Sequence, residues 1–252
     1  GKGWTLLTPA STFTHCRGIW GTGAGDIFRA GDNSNNKGAG HTRHFNGAKW
    51  STTSHGKVKL FSTWGISSTA VWAVGQRSSD SKGLILYWNG TKWSTTIIPK
   101  NQQLRSVWGT SATNVLVGTL VGGIMRYNGS TWSADPGLPV APYTALWGTG
   151  PSDIYTGTDM GKILRYNGSS WTTIHSTSSS VWCWSIWGSS SSHIVAVGYD
   201  STKKAGVVVR LWNGKWTTVH SAAGVQLHGV WGTGPSNIYA VGTDFSVSSG
   251  KI

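Results

Sequence analysis

Apolar residues in this chain come in short runs rather than in helical stripes. Runs such as Ile238-Tyr-Ala-Val-Gly242 and Ile163-Leu-Arg-Tyr166 are rich in β-branched and aromatic side chains and are bounded by turn residues. Short runs punctuated in this way predict strands. The runs also recur. A Trp-Gly pair stands at Trp20-Gly21, Trp64-Gly65, Trp108-Gly109, Trp147-Gly148, Trp187-Gly188 and Trp231-Gly232, with spacings of 44, 44, 39, 40 and 44 residues. Six residues after each Trp comes Asp26, Ala70, Asn114, Asp153, His193 or Asn237, opening a β-rich run that ends in Gly. A variable loop and a third run follow. An Asn-Gly pair then appears at residues 46–47, 89–90, 128–129, 167–168 and 213–214, and a fourth run opens with Trp50, Trp93, Trp132, Trp171 or Trp216.

Each repeat therefore reads as four strands, A to D. Asn-Gly between β-rich runs is a strong hairpin signal and predicts a type I′ turn between C and D, because both central residues of that turn need positive φ. Four strands in every 40 to 50 residues is the signature of a propeller blade. The expected fold is all-β: one six-bladed β-propeller of four-stranded antiparallel blades over residues 1–252. Gly1-Lys-Gly-Trp4 matches Gly47-Ala-Lys-Trp50, and Gly250-Lys-Ile252 matches Gly161-Lys-Ile163. The last blade is thus expected to form from residues 228–252 plus 1–8, which would close the ring and hide two sheet edges.

Aligned repeats separate scaffold from exception. The middle of strand B is apolar throughout (Phe28, Trp72, Leu116, Tyr155, Val195, Tyr239), and an aromatic residue precedes most Asn-Gly turns. Trp72, Trp88, Trp212 and the repeat tryptophans of strands A and D are expected in the core. Four residues before the strand A Trp lie Cys16, Leu60, Leu104, Tyr143, Cys183 and Leu227, so both cysteines are expected as buried free thiols acting as small hydrophobes. Three before it the residue varies freely: Arg17, Phe61, Arg105, Thr144, Trp184 and His228. Five before it are His15, Lys59, Gln103, Pro142, Trp182 and Gln226.

Composition narrows the chemistry. Gly is 36 of 252 residues and Trp 17, charged residues are 12%, and all 8 acidic residues are Asp. Glycosidases normally use two Asp or Glu residues, and no such pair stands out here. The 8 His residues show no zinc spacing. Asp32, Asp159, Asp200 and Asp244 recur just after strand B, but one carboxylate per repeat is a weak Ca²⁺ site. No nucleophile elbow or phosphate loop appears. The chain is expected to be non-catalytic, with no cofactor and no metal. The net charge of +13 favours polyanions. No apolar stretch reaches the ~18 residues of a membrane-spanning helix. The sequence opens at Gly1 with no secretory signal in view, compatible with a leader removed upstream.

The D–A and B–C connections vary, whereas the A–B and C–D turns do not. Binding concentrates on variable loops of a rigid scaffold. The long B–C loops of the first, second, fifth and sixth repeats carry Lys37, Arg77, Lys82, Lys203 and Lys204 together with Asn33, Asn35, Asn36, Asp80, Asp200 and Asp244. Trp182 and Trp184 are the two tryptophans that the repeat does not explain. The candidate ligand-binding set is Trp182, Trp184, Arg17, Arg105, His228, Lys203, Lys204, Arg77 and Lys82.

The units Trp147-Gly-Thr-Gly-Pro-Ser-Asp-Ile-Tyr155 and Trp231-Gly-Thr-Gly-Pro-Ser-Asn-Ile-Tyr-Ala-Val-Gly242, with Asn-Gly-Ser/Thr-x-Trp following in complete repeats, resemble repeats of secreted and surface proteins of myxobacteria and related bacteria. The resemblance covers essentially the whole chain and implies a propeller. The architecture is also similar to tachylectin and tectonin propeller lectins, although their own motifs are not matched and no sugar-site residue carries over. The leading functional expectation is a secreted or cell-surface binding module for glycans or an anionic polymer. The second is a structural or adhesion domain with protein partners in a larger surface assembly. Nucleic acid ranks third. The Asn89, Asn128 and Asn167 sequons matter only in a host that glycosylates secreted proteins.

Overall fold

The computed structural model describes residues 15–33, 38–245 and 250–251. The chain is all-β and divides into two compact units, Gly1–Gln103 and Leu104–Ile252. The first unit holds one seven-stranded sheet in chain order: β1 (His15–Gly23), β2 (Asp26–Asn33), β3 (Ala39–Phe45), β4 (Trp50–Ser67), β5 (Ala70–Arg77), β6 (Lys82–Trp88) and β7 (Trp93–Asn101). Strand β4 runs for 18 residues and serves as the fourth strand of one repeat and the first of the next. The second unit holds three four-stranded sheets: β8 (Leu104–Ser111) to β11 (Trp132–Ala134) through β9 (Asn114–Thr119) and β10 (Ile124–Tyr127); β12 (Tyr143–Gly150), β13 (Asp153–Thr158), β14 (Lys162–Tyr166) and β15 (Trp171–Ser176); and β16 (Val181–Ser190), β17 (His193–Asp200), β18 (Ala205–Trp212) and β19 (Lys215–Ala223). Its last sheet contains β20 (Val225–Gly234), β21 (Asn237–Asp244) and β22 (Gly250–Lys251). The expected completion by residues 1–8 lies outside the described residues, as do Asn35, Asn36 and Lys37.

The Trp-Gly pair is a lock between successive repeats. A Cβ placed on Gly65 would lie 2.7 Å from the Trp20 indole, and one on Gly188 would lie 2.5 Å from that of Trp147. The Trp108 and Trp187 indoles fill the same space over Gly148 and Gly232. Each of these four Trp residues thus covers the glycine of the following repeat, and close packing leaves no room for a methyl group there. Apolar residues of strands A, B and C fill the layers between sheets. Ala145, Tyr155 and Ile163 of one sheet pack on Cys183, Ile186, Ile194 and Ala196 of the next.

Strand A carries a second device in every repeat. Its register against strand B shifts between Cys16/Gly18, Leu60/Ser62, Leu104/Ser106, Tyr143/Ala145, Cys183/Ser185 and Leu227/Gly229. One residue is therefore extra at this point, a β-bulge, and the bulge takes its side chain out of the ladder. The extra residue is the freely variable one: Arg17, Phe61, Arg105, Thr144, Trp184 or His228. The glycine ending strand B sits opposite this kink. A Cβ on Gly75, Gly198 or Gly242 would collide with the backbone carbonyl of Lys59, Trp182 or Gln226.

Four expectations from the sequence change. Cys183 is buried, but Cys16 is exposed and accepts a contact from Arg29 Nε at 3.3 Å. Trp72 is core, Trp88 is half-buried and donates its indole N–H to the Ser68 carbonyl, and Trp212 is 41% exposed. The repeat tryptophans are mostly half-buried, and Trp231 is exposed together with Tyr239 and Val241. The Asn-Gly turns are of two kinds. Gly47, Gly90, Gly129 and Gly168 alone have positive φ in four of them, and only Asn213-Gly214 has both residues positive, at 49° and 76°. The four-residue loops Asn-Gly-x-x do not need the type I′ geometry that a two-residue loop demands.

Candidate functional site

The bulge gives each repeat one side chain freed from pairing, at the end where the B–C and D–A connections emerge. In the second unit these are Arg105, Thr144, Trp184 and His228, on the successive strands β8, β12, β16 and β20. Arg105, Thr144 and Trp184 each engage the sheet that follows, and His228 receives the contact from Trp184. The Arg105 charge acts on Asp159, whose carboxyl burial raises above the ordinary range while Thr144 and Arg105 oppose the rise. Thr144 Oγ1 donates to the Cys183 carbonyl and lies 3.3 Å from Asp159 Oδ1. The Trp184 ring stacks on His228 with centroids 4.9 Å apart and planes 8° from parallel. In the first unit, Arg17 lies over the Phe61 ring at 5.2 Å and 3.4 Å from Asp32 Oδ2, and His15 Nδ1 is 3.0 Å from Asp32 Oδ1.

The fifth repeat is aromatic here. Trp182 pairs with Tyr199 across β16 and β17. Their rings and that of Trp184 form a triangle with sides of 5.9, 6.0 and 6.0 Å. Trp184 is nearly parallel to both Tyr199 and His228 and is half-buried in the cluster. It holds the cluster together, while Trp182, 36% exposed, and His228 present surface to solvent. Partial burial lowers the His228 pKa, which favours the neutral imidazole. Alternation along β16 would have placed Trp182 and Trp184 on one face with their rings open. The bulge and Tyr199 change that arrangement, and Tyr199 was legible only as the residue after the strand B glycine.

Beside this cluster the turn between β17 and β18 is built on Asp200. Its Oδ1 accepts from Ser180 Oγ at 2.9 Å, Thr202 N at 3.0 Å and Lys203 N at 3.1 Å, and Lys203 Nζ is 3.8 Å from Oδ2. Burial pushes this carboxyl's pKa up, but the Lys203 N–H, the Ser180 hydroxyl, the Thr202 N–H and the Lys203 charge hold it below the usual range. Lys203 remains largely exposed, and Lys204 sits at φ 51° in the left-handed region. The analogous turn of the first unit binds its own cations: Arg77 pairs with Asp80, and Lys82 Nζ is 3.7 Å from the same carboxylate. Asp32 occupies the position of Tyr199, not that of Asp200, because His15 pairs with Asp32 as Trp182 pairs with Tyr199. Of the candidate residues, Trp182, Trp184 and His228 come together, Lys203 and Lys204 stand on the adjoining turn, and Arg105 lies two sheets before them. Arg17, Arg77 and Lys82 belong to the first unit. Among the described residues no cluster of three or more His, Cys, Asp or Glu side chains could hold a metal ion.

No protein-family model matches the chain, and no curated protein does. Solved structures do match in shape. YCF48 bound to D1 peptide has a TM-score of 0.64 at 14% identity, over 92% of this chain and 77% of that one. The Cps50 (Swd1) β-propeller domain of Myceliophteria thermophila has a TM-score of 0.64 at 10% identity, over 91% and 80%. The GH74 xyloglucanase from Xanthomonas campestris has a TM-score of 0.66 at 13% identity, over 90% of this chain but only 42% of the enzyme. These likenesses establish the fold, a β-propeller, and nothing finer.

Proposed function

We propose that this chain is a non-catalytic binding module, secreted or displayed at a cell surface, that takes a glycan or anionic polymer at the bulge end of its second unit. The observation that carries the reading is the bulge column: one scaffold position, identical in backbone, holds Arg105, Thr144, Trp184 and His228 in turn. A position that the fold keeps while its chemistry varies is one where binding chemistry is free to differ. Trp182 supplies a stacking surface for a sugar ring, and Lys203 and Lys204 supply charge for carboxylate or sulfate groups. Engagement of Asp80, Asp135, Asp153 and Asp200 by Arg or Lys side chains supports the non-catalytic part of the reading. A second reading, a structural or adhesion domain with protein partners, is favoured by the exposed Trp212 and Val219 on the β18–β19 hairpin.

A glycan array and immobilised acidic polysaccharide, both at low salt, test the first reading. Trp182→Ala is expected to weaken retention about tenfold, equivalent to about 1.4 kcal/mol, with the fold unchanged by circular dichroism. Absence of all binding by the native chain, or binding that Trp182→Ala leaves intact, sinks it.

A further inference from the structure

Five Asn-Gly pairs close the C–D hairpins, and one of them differs from the rest. In four, Phe45 pairs with Trp50, Trp88 with Trp93, Tyr127 with Trp132 and Tyr166 with Trp171, so four residues form each loop. The Asn side chain is then fixed by its own loop. Asn46 Oδ1 accepts from the N–H groups of Ala48 and Lys49 at 3.2 and 3.0 Å. Asn89, Asn128 and Asn167 accept the corresponding two N–H groups at 2.9–3.0 Å, and in each a Ser or Thr hydroxyl adds another bond. In the fifth hairpin one residue is missing between Gly214 and Trp216. Trp212 pairs directly with Lys215, which leaves Asn213 and Gly214 alone in a type I′ turn. The N–H groups that would clamp the side chain now belong to residues already paired in β19. Asn213 is exposed and makes none of these bonds.

We infer that Asn213 is a site of spontaneous deamidation, selected from the five Asn-Gly pairs by the fold. Gly214 carries no side chain to shield its amide nitrogen. Once that nitrogen has lost its proton to solvent base, it attacks Asn213 Cγ. The bond from Cγ to the side-chain nitrogen breaks, ammonia leaves, and a five-membered succinimide forms. Water then opens either carbonyl, giving aspartate or isoaspartate, with no change of oxidation state. In the other four loops the same attack requires the clamped side chain to swing round and give up two or more hydrogen bonds. The isoaspartyl product adds a main-chain atom to a two-residue turn whose geometry fixes the β18–β19 register. The modification therefore marks and loosens that outer hairpin.

Ageing of the full native chain at mildly alkaline pH, followed by peptide mapping and enzymatic isoaspartate methylation, tests this. Conversion at Asn213 is expected several-fold ahead of Asn46, Asn89, Asn128 and Asn167. In the chain unfolded with denaturant the five rates are expected to converge. Insertion of Thr between Gly214 and Lys215, which restores the four-residue loop, is expected to bring Asn213 down to the rate of its siblings. Equal native rates, or an Asn213 lead of the same size in denaturant, overturns the inference. If the inserted chain misfolds, the native-against-denatured comparison decides alone.

Discussion

Strands β1 and β16 carry a cysteine at the same position and surround it with opposite chemistry. Around Cys16 stand His15, Arg17 and, across the ladder, Asp32, an ionic group. Around Cys183 stand Trp182, Trp184 and Tyr199, an aromatic one. The backbone is the same in both: a bulge after the cysteine, a second irregularity after the Trp-Gly pair, and a glycine ending strand B. The repeat thus fixes where the side chains are presented and leaves open what they are. Arg17 and Trp184 also behave alike in one respect, each lying against an aromatic ring or imidazole of the next repeat. The bulge is therefore both a presentation device and a contact between neighbours.

If the scaffold is common to both regions, damage to it should cost the same in each. Gly65→Ala and Gly188→Ala drive a methyl into the Trp20 and Trp147 indoles, and each is expected to lower stability by about 2–3 kcal/mol. Gly150→Ala, where a Cβ meets nothing within 4 Å, is expected to stay within about 0.5 kcal/mol. Denaturant titration followed by tryptophan fluorescence measures all three. A Gly188→Ala variant as stable as the native chain would remove the lock.

The bulge residues themselves should then be unequal. Trp184→Ala removes the ring between Tyr199 and His228 and is expected to cost about 3 kcal/mol. Arg17→Ala removes a partly exposed ion pair at 3.4 Å and is expected to cost under about 1 kcal/mol. Equal costs in the same titration would mean that the position is purely structural.

The sequence carries the repeat, its four-strand pattern and the variable column, because these follow from residue spacing. It carries the glycines too, but not their reasons, since the indole over Gly188 and the carbonyl against Gly198 come from strands that only folding brings close. The turn type was misjudged for a countable cause: two residues between Gly and Trp instead of one lengthen the loop and relieve the Asn of positive φ. The core assignment of Trp212 failed because its ring lies against Arg210 and His193 at the sheet's outer end. Of the two tryptophans that the repeat does not explain, Trp182 is exposed and Trp184 enclosed, because Tyr199 and His228 reach Trp184 from a neighbouring strand and a neighbouring sheet.

The smallest effect separates the two regions by pH. In the first unit, burial, aided by nearby His41, lowers the His55 pKa to about 4, and Thr42 Oγ1 sits 2.8 Å from His55 Nε2. In the second, burial lowers the pKa of His175 and His228. All three rings are held neutral in the fold, whereas in the unfolded chain they take up a proton near pH ~6.5. The unfolded state therefore binds more protons below that value, and stability falls as the pH falls. For His55 the decline runs from about 6.5 down to about 4 and then levels, because the folded ring is protonated as well. Asp80 and Asp200, held below the usual carboxylate range, contribute their loss only at lower pH still. Asp159, whose pKa is raised, works in the opposite direction. The denaturation midpoint is accordingly expected to drop between pH 6.5 and 4, and His55→Gln is expected to flatten that drop for the first unit while leaving the His228 stack unaffected. A His55→Gln chain with the native slope would show that the acid sensitivity arises elsewhere, with His175 and His228 of the second unit as the groups to replace next.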